Sequence, residues 1–245
     1  MTGAVLVTGG TGGIGGAIVR RLVADGHKVT FTWRGDAAAA AALAAETGAQ
    51  SVQLDLADRL AVAGFADFLA AAEAPLYGLV HNAGSTYDAL AATIDVEAAA
   101  ALFEVNLFSL MALVRGAVRA MTAARRGRIV AIGALAARRA VAGNAAYAAS
   151  KAALEAYIKT LMAEVARRGV TANVVAPGWI DTAMVTAPAE ARAALAKTIP
   201  AQRLGKAEDV AAIVAFLLRE EAGYINGTVV TVDGGLGSML AAPKN

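Results

Sequence analysis

The chain has 245 residues, 58% hydrophobic and 17% charged, with a formal net charge of +2; without cysteine it has no disulfide, thiol catalysis or cysteine–metal site. His27 and His81 are the only histidines, which argues against a Ser–His triad or a histidine metal site, so no metal is expected, and arginines without interleaved aromatics argue against nucleic acid. The mean hydropathy of +0.55 rests largely on alanine and charges interrupt the apolar runs, so no membrane span is expected; the longest uncharged run, Met1–Val19, is glycine-crowded and lacks a basic n-region, which points to the cytoplasm.

In chain order, short β-branched runs alternate with longer alanine-rich segments of helical period. AVLVT (Ala4–Thr8) reads as a strand and Ile14–Asp25 as a helix. KVTFTW (Lys28–Trp33) is a strand followed by a helix over Ala37–Thr47. SVQLD (Ser51–Asp55) precedes a helix near Ala61–Ala72. GLVH (Gly78–His81) is a strand, and a long helix covers about Glu97–Met121. RIVAI (Arg128–Ile132) leads to a helix from about Asn144 to Arg168. TANVVA (Thr171–Ala176) is a strand, Ala207–Leu218 a helix and TVVTV (Thr228–Val232) the last strand. Strict βα alternation with continuously apolar strands predicts an α/β, doubly wound, seven-stranded parallel sheet with helices on both faces. No linker is visible, so residues 1–245 read as a single domain. Pro177 to Pro200 breaks the pattern, and about 186–205 is expected to be a mobile substrate loop.

After the first strand comes TGGTGGIGG, Thr8 to Gly16, and then a helix. Glycines there let backbone approach a pyrophosphate, and the helix N-terminus supplies N–H donors and positive potential. The run fits GxGxxG at Gly10, Gly12 and Gly15, and TGxxxGxG at Thr8, Gly9, Gly13 and Gly15; the bland alternative is a flexible βα turn. The second strand ends Thr32-Trp33-Arg34-Gly35, with no carboxylate before Asp36. An NAD site usually places one there, whereas Arg34 suits a 2′-phosphate, so NADPH is the expected cofactor.

Tyr147 and Lys151 lie four residues apart in YAASK and so share a helix face. A neighbouring cation lowers a phenol's pKa from about 10 toward that of a useful general acid. A packed tyrosine and a surface lysine would be the structural alternative.

Together these stretches resemble the short-chain dehydrogenase/reductase family over about residues 3–238. The marks are Thr8-Gly9…Gly13-Ile14-Gly15, Asp55-Leu56, Asn82-Ala83-Gly84, Asn106 in VNLFS, Tyr147…Lys151, and Pro177-Gly178 with Thr182. RRGRIVAIG, RGVTANVVAPGWIDTAM and INGTVVTVDGG resemble the β-ketoacyl–acyl carrier protein reductases within it. The resemblance implies a Rossmann-type fold and roles residue by residue. Gly9, Thr11, Gly13, Ile14 and Gly15 would hold the cofactor phosphates, and Asp55 and Leu56 would flank the adenine. Asn82, Ala83 and Gly84 would support the cofactor-side sheet and ribose, and Pro177, Gly178, Ile180 and Thr182 would line the carboxamide. Tyr147 would be the general acid, Lys151 would hold the ribose and favour tyrosinate, and Asn106 would anchor a relay water. Arg125 and Arg168 would lie near the site mouth and dock an acidic acyl carrier protein; for Arg167-Arg168, favourable placement at a helix C-terminus is the alternative. A homotetramer or similarly built hetero-oligomer is implied, with interfaces on the catalytic helix and INGTVVTVDGGLGSML.

Three positions depart from the family. His81 replaces the first Asn before Asn-Ala-Gly, which changes a strand-end hydrogen bond. Gly12 stands where many NADPH enzymes of the family carry a basic residue. Ala134, thirteen positions before Tyr147, occupies the place of the catalytic serine. Ser150 sits beside Lys151 on another helix face; Ser85 and Thr86 are candidate surrogates. The expected function is NADPH-dependent reduction of a β-ketoacyl thioester, carried on acyl carrier protein or coenzyme A and weakened by Ala134. The alternatives are a catalytically impaired cofactor-binding subunit of a hetero-oligomer, or a serine-to-alanine variant of an active reductase. Arg138 and Arg139, in an apolar loop beside the site, have a substrate, a carrier and another subunit as candidate contacts.

Overall fold

The computed structural model describes residues 2–183 and 188–239. Seven parallel strands run β1 (Ala4–Thr8), β2 (Lys28–Trp33), β3 (Gln50–Gln53), β4 (Gly78–His81), β5 (Gly127–Ile132), β6 (Val170–Pro177) and β7 (Val229–Val232), in the spatial order β3-β2-β1-β4-β5-β6-β7. Eight α-helices accompany them among the described residues: α1 (Gly13–Ala24), α2 (Ala37–Thr47), α3 (Arg59–Ala71), α4 (Val96–Phe103), α5 (Ser109–Ala123), α6 (Ala145–Val165), α7 (Ala189–Thr198) and α8 (Ala207–Leu217).

Successive strand residues face opposite sides, so the central strands feed two separate cores. Val5, Val7, Val130 and Ile132 pack with Ile18, Leu22, Val210 and Val214 on the face covered by α1 and α8. Leu6, Ile129 and Ala131 pack with Leu110, Leu113, Leu154 and Ile158 on the face covered by α5 and α6. Both faces being buried explains why β4, β5 and β6 read as continuous apolar runs.

Two expectations change. The long helix is interrupted by a π turn over Glu104–Phe108, which separates α4 from α5. The stretch Val96–Ala123 has the length and composition to cross a membrane, yet Leu102, Leu110, Leu113 and Met121 from it are buried against the rest of the fold. The segment 186–205 contains α7, a helix whose residues are all at least partly exposed. Residues 186 and 187 of that segment, and Leu240 at the end of the proposed interface stretch, lie outside the described residues.

Candidate active site at the C-terminal ends of the strands

Parallel strands bring their C-terminal ends to one edge, and the chain reverses its winding between β1 and β4. Ligands of open α/β sheets bind in the crevice at such a switch point. The glycine turn follows β1 and the Asn82–Gly84 strip follows β4, so both border it.

Gly9 takes a left-handed φ of 68°, Gly10 N donates to Thr32 O at 2.9 Å and Gly12 N to Gly9 O at 3.2 Å. A Cβ on Gly15 would collide with the Gly9 carbonyl, and one on Gly13 would lie 2.7 Å from Thr182 Cγ2. The turn is thus closed beneath by its own backbone and covered by the segment after β6. Gly12 caps α1 without a side chain, and the N–H groups of Gly13, Ile14 and Gly15 have no acceptor among the described residues. Thr11 is half-exposed beside them. Unpaired donors at the positive end of a helix fit a pyrophosphate.

The turn is tied to β4 through one hydroxyl. Thr8 Oγ1 accepts from Asn82 N and Ala83 N, both at 3.0 Å, while Asn82 Nδ2 donates to Thr8 O and Gly9 O. Having accepted twice, the hydroxyl donates its proton to His81 Nδ1 at 3.3 Å. The imidazole proton is then on Nε2, which has no hydrogen-bond partner but faces the carbonyls of Val105 and Asn106 in the π turn. Burial, with the Lys151 charge, lowers the His81 pKa to about 3, so the ring is neutral.

Arg34 is exposed at the end of β2, and its guanidinium has no partner among the described residues. Asp36, the next carboxylate along the chain, accepts from Ala39 N at 2.8 Å as the cap of α2. Asp55 is exposed and accepts from Ala57 N, and Leu56 beside it is buried. Gly178 N donates to Val232 O at 3.0 Å next to Pro177, and Ile180 is buried in a bridge to Gly205.

Asn106 lies fully buried in the π turn. Its Oδ1 accepts from Ser85 N at 2.9 Å, and its Nδ2 donates to Ser85 O and to Ser150 Oγ at 2.9 Å. Ser150 donates to Tyr147 O at 2.8 Å, so the amide locks the β4 loop to α6. Lys151 Nζ donates to Ile132 O at 2.8 Å and stands 5.9 Å from the Tyr147 ring centroid. Gly84 meets this group: a Cβ there would be 3.3 Å from both Lys151 Nζ and Asn106 Oδ1.

The expected lowering of the Tyr147 pKa is not found. Burial, aided by the Asp88 carboxylate, pushes the phenol up to about 12. Burial also pulls Lys151 down to about 8, and its ammonium is turned to the Ile132 carbonyl. Desolvation disfavours both ions, and it outweighs their attraction at this separation.

Ala134 lies two residues past the end of β5 and is buried in extended backbone, heading the 3-10 turn Leu135–Ala137. Its methyl offers no polar atom. Ser85 is half-exposed with its backbone pinned by Asn106, and Thr86 is exposed. Arg138 pairs with Glu155 on α6 at 3.1 Å, and Arg139 donates to Gly237 O, so both tie the β5 loop down.

Arg125 and Arg168 are not at this crevice within one chain. Arg125 precedes the start of β5 and Arg168 the start of β6, whereas the site lies at the strands' other ends. Six strand residues span about 20 Å. Arg125 donates to Arg167 O at 3.3 Å, so the basic residues cluster together. Sequence reasoning missed the Ser150–Asn106 contact, Asp88 and Asn144. Ser150 did carry a signal, being three residues from Tyr147, but its burial against the π turn needs the fold.

The family model described as enoyl-(acyl carrier protein) reductase matches residues 9–237. The 3-oxoacyl-[acyl-carrier-protein] reductase MabA of Mycobacterium avium is 40% identical over 234 residues, covering 95% of this chain and 89% of that protein. Among solved structures, a mutant short-chain dehydrogenase/reductase of Serratia marcescens aligns with a TM-score of 0.88 at 33% identity, over 96% of this chain and 97% of that one. A blue fluorescent protein from a metagenomic library, in complex with NADPH, aligns with a TM-score of 0.88 at 34% identity over 98% of each chain.

Proposed function

The chain belongs to the short-chain dehydrogenase/reductase family, and we propose that within it the protein is an NADPH-dependent reductase of β-ketoacyl thioesters presented on acyl carrier protein or coenzyme A. The reading is carried by one juxtaposition: Gly84 meets both Lys151 Nζ and Asn106 Oδ1 two residues after Asn82, whose amide holds the glycine turn. The similarity to a 3-oxoacyl reductase supports the substrate class, and the NADPH-bound neighbour supports the cofactor.

When bound, NADPH would supply the hydride. The free N–H groups of Gly13, Ile14 and Gly15 would hold its pyrophosphate, and Arg34 would take the 2′-phosphate. Lys151 uses one of three donors on Ile132 O and keeps the others for the ribose hydroxyls. Tyr147 enters protonated and gives its phenolic proton to the ketone oxygen as negative charge develops there. Asn106 holds Ser85 and Ser150, which fixes the β4 loop and the first turns of α6 around that oxygen. At position 134 the alanine withholds a donor, so the rate is lower than a serine would give.

An oligomer, homotetrameric or with a related chain, completes the proposal. Docking of a carrier at Arg125 and Arg168 requires that one subunit's basic cluster reach another's crevice. The test follows NADPH oxidation with a short β-ketoacyl coenzyme A thioester, alone and with related chains. Turnover that disappears in Tyr147→Phe is expected; no turnover with any ketoacyl thioester, or unchanged turnover in that variant, would overturn the reading.

A further inference from the structure

The stretch Ser85–Ala89 joins the cofactor-side strip to the helix that carries Tyr147, and it is fastened at both ends. At its start the Asn106 amide holds Ser85 N and Ser85 O. At its end Ala89 N donates to Gly143 O at 2.7 Å, and Asp88 Oδ1 accepts from Asn144 Nδ2 at 2.6 Å. Asn144 is the N-cap of α6, yet its side chain caps nothing in the helix. It is turned to Asp88 instead. Tyr147 sits on the first turn beyond, half-buried between this latch and Lys151.

We propose that Asp88 is a positioning residue for the Tyr147 proton transfer: its carboxylate latches the β4 loop to the first turn of α6 and thereby holds a negative charge beside the phenol. The proposal rests on Tyr147 being the proton donor. The neighbouring charges are accounted for element by element. Lys151 lies on α6 itself and is bonded to Ile132 O. Arg138 and Arg139 of the β5 loop are turned to Glu155 and Gly237. Glu104 of the π turn pairs with Arg59, and Asp181 after β6 pairs with Arg192. Asp88 is the charge that acts on the phenol through space, and it strengthens the effect of burial.

A negative neighbour makes the neutral phenol easier to keep and the phenolate harder to form. Ketone reduction needs the neutral phenol, which breaks its O–H bond as the ketone oxygen gains the proton. Oxidation of the β-hydroxyacyl product needs the phenolate. Asp88 therefore biases the site toward reduction and moves oxidation to more alkaline pH.

The experiment compares the full-length protein with Asp88→Asn and Asp88→Ala. Tyrosine labelled with carbon-13 at Cζ reports ionisation by NMR through the alkaline range in which the fold survives, with Tyr147→Phe assigning the resonance. Asp88→Asn keeps an acceptor for Asn144 but removes the charge, so ionisation should begin about half a pH unit lower. The pH profiles of reduction and of hydroxyacyl oxidation should move the same way. Asp88→Ala should show that shift and a further fall in kcat. An unmoved Tyr147 resonance in a folded Asp88→Asn protein would overturn the proposal. A moved resonance in a protein that reduces no ketoacyl thioester would leave the latch standing and defeat the functional reading instead.

Discussion

The two ends of the parallel sheet carry opposite kinds of polar group. At the C-terminal end, the first turn of α1 presents unpaired N–H groups, and neutral hydrogen bonds join Thr8 to Asn82 and, separately, Asn106 to Ser85 and Ser150. At the N-terminal end, cations and aromatic rings stack. Arg126 lies 4.3 Å from the Tyr77 ring centroid, and His27 stacks on Tyr77 at 5.7 Å. Arg128 donates to the carbonyls of Gly127, Gly169 and Arg219, and Tyr77 Oη to Leu218 O. The difference follows from chain direction. Helices antiparallel to the strands bring their N–H ends to one edge and their carbonyl ends to the other. Arg128 and the Tyr77 hydroxyl occupy carbonyls at that end, so that end is structural. The donor end is left open, so that end can bind.

Removing the same atom at each end sharpens the contrast. Tyr147→Phe should lower ketoacyl reduction by about a hundred- to ten-thousandfold while NADPH binding, read by fluorescence titration, stays largely intact. Tyr77→Phe should leave kcat unchanged and lower stability by about 1–3 kcal/mol in urea unfolding, because the Leu218 carbonyl loses its buried partner. An active Tyr147→Phe protein, or an inactive but stable Tyr77→Phe protein, would erase the distinction.

Restoring a donor is the next largest effect. Ala134→Ser should raise turnover at least tenfold, against the roughly hundred- to thousandfold that an oxyanion donor contributes, with NADPH affinity nearly unchanged. A serine variant no faster than the parent would mean that another group already fills the role. At the adenine side, NADPH should bind about tenfold tighter than NADH, and Arg34→Ala should remove that preference. Equal affinities in the parent protein would end the Arg34 assignment.

A further contrast between the two ends is in acid. Folding lowers the pKa of both histidines, His81 to about 3 and His27 by burial at the other end. Between its ordinary 6.5 and about 3, His81 binds a proton only in the unfolded chain, so stability falls as pH falls through that window. His81→Asn should flatten the decline, by up to about 1.4 kcal/mol per pH unit. His27→Asn should flatten it less, since the hydrogen bond to the Gly3 backbone and the favourable charge of Asp25 offset part of the burial of His27. Equal flattening would show that both rings are desolvated alike.

Most of this architecture is legible in the residues. Apolar β-branched runs gave all seven strands within a few residues, and the glycine turn and YAASK located the crevice. Helix α7 was missed because ARAALAKT buries nothing fully, so no apolar face marks its period. The π turn was missed because EVNLF continues the apolar pattern of the helix around it. The Tyr147 shift was misjudged because spacing shows a cation one turn away, while burial and Asp88 depend on packing between distant segments. Arg125 and Arg168 look adjacent to catalytic stretches in sequence, and only strand direction separates them from the site.

The π turn carries a consequence for how this chain tolerates insertions and deletions. Each residue of an α-helix advances its azimuth by about 100°. The wider loop at Glu104–Phe108 absorbs an additional residue, so α4 and α5 are out of rotational phase with each other. Deleting one residue there would let the helix close into a regular spiral of unbroken i-to-i−4 bonding. That repair would leave Leu110 and Leu113 in the core and swing either Asn106 or the α4 contact through Leu102 off its bearing. The helix would gain regularity at the expense of its aim, so local backbone ideality and function select for different lengths of this one segment.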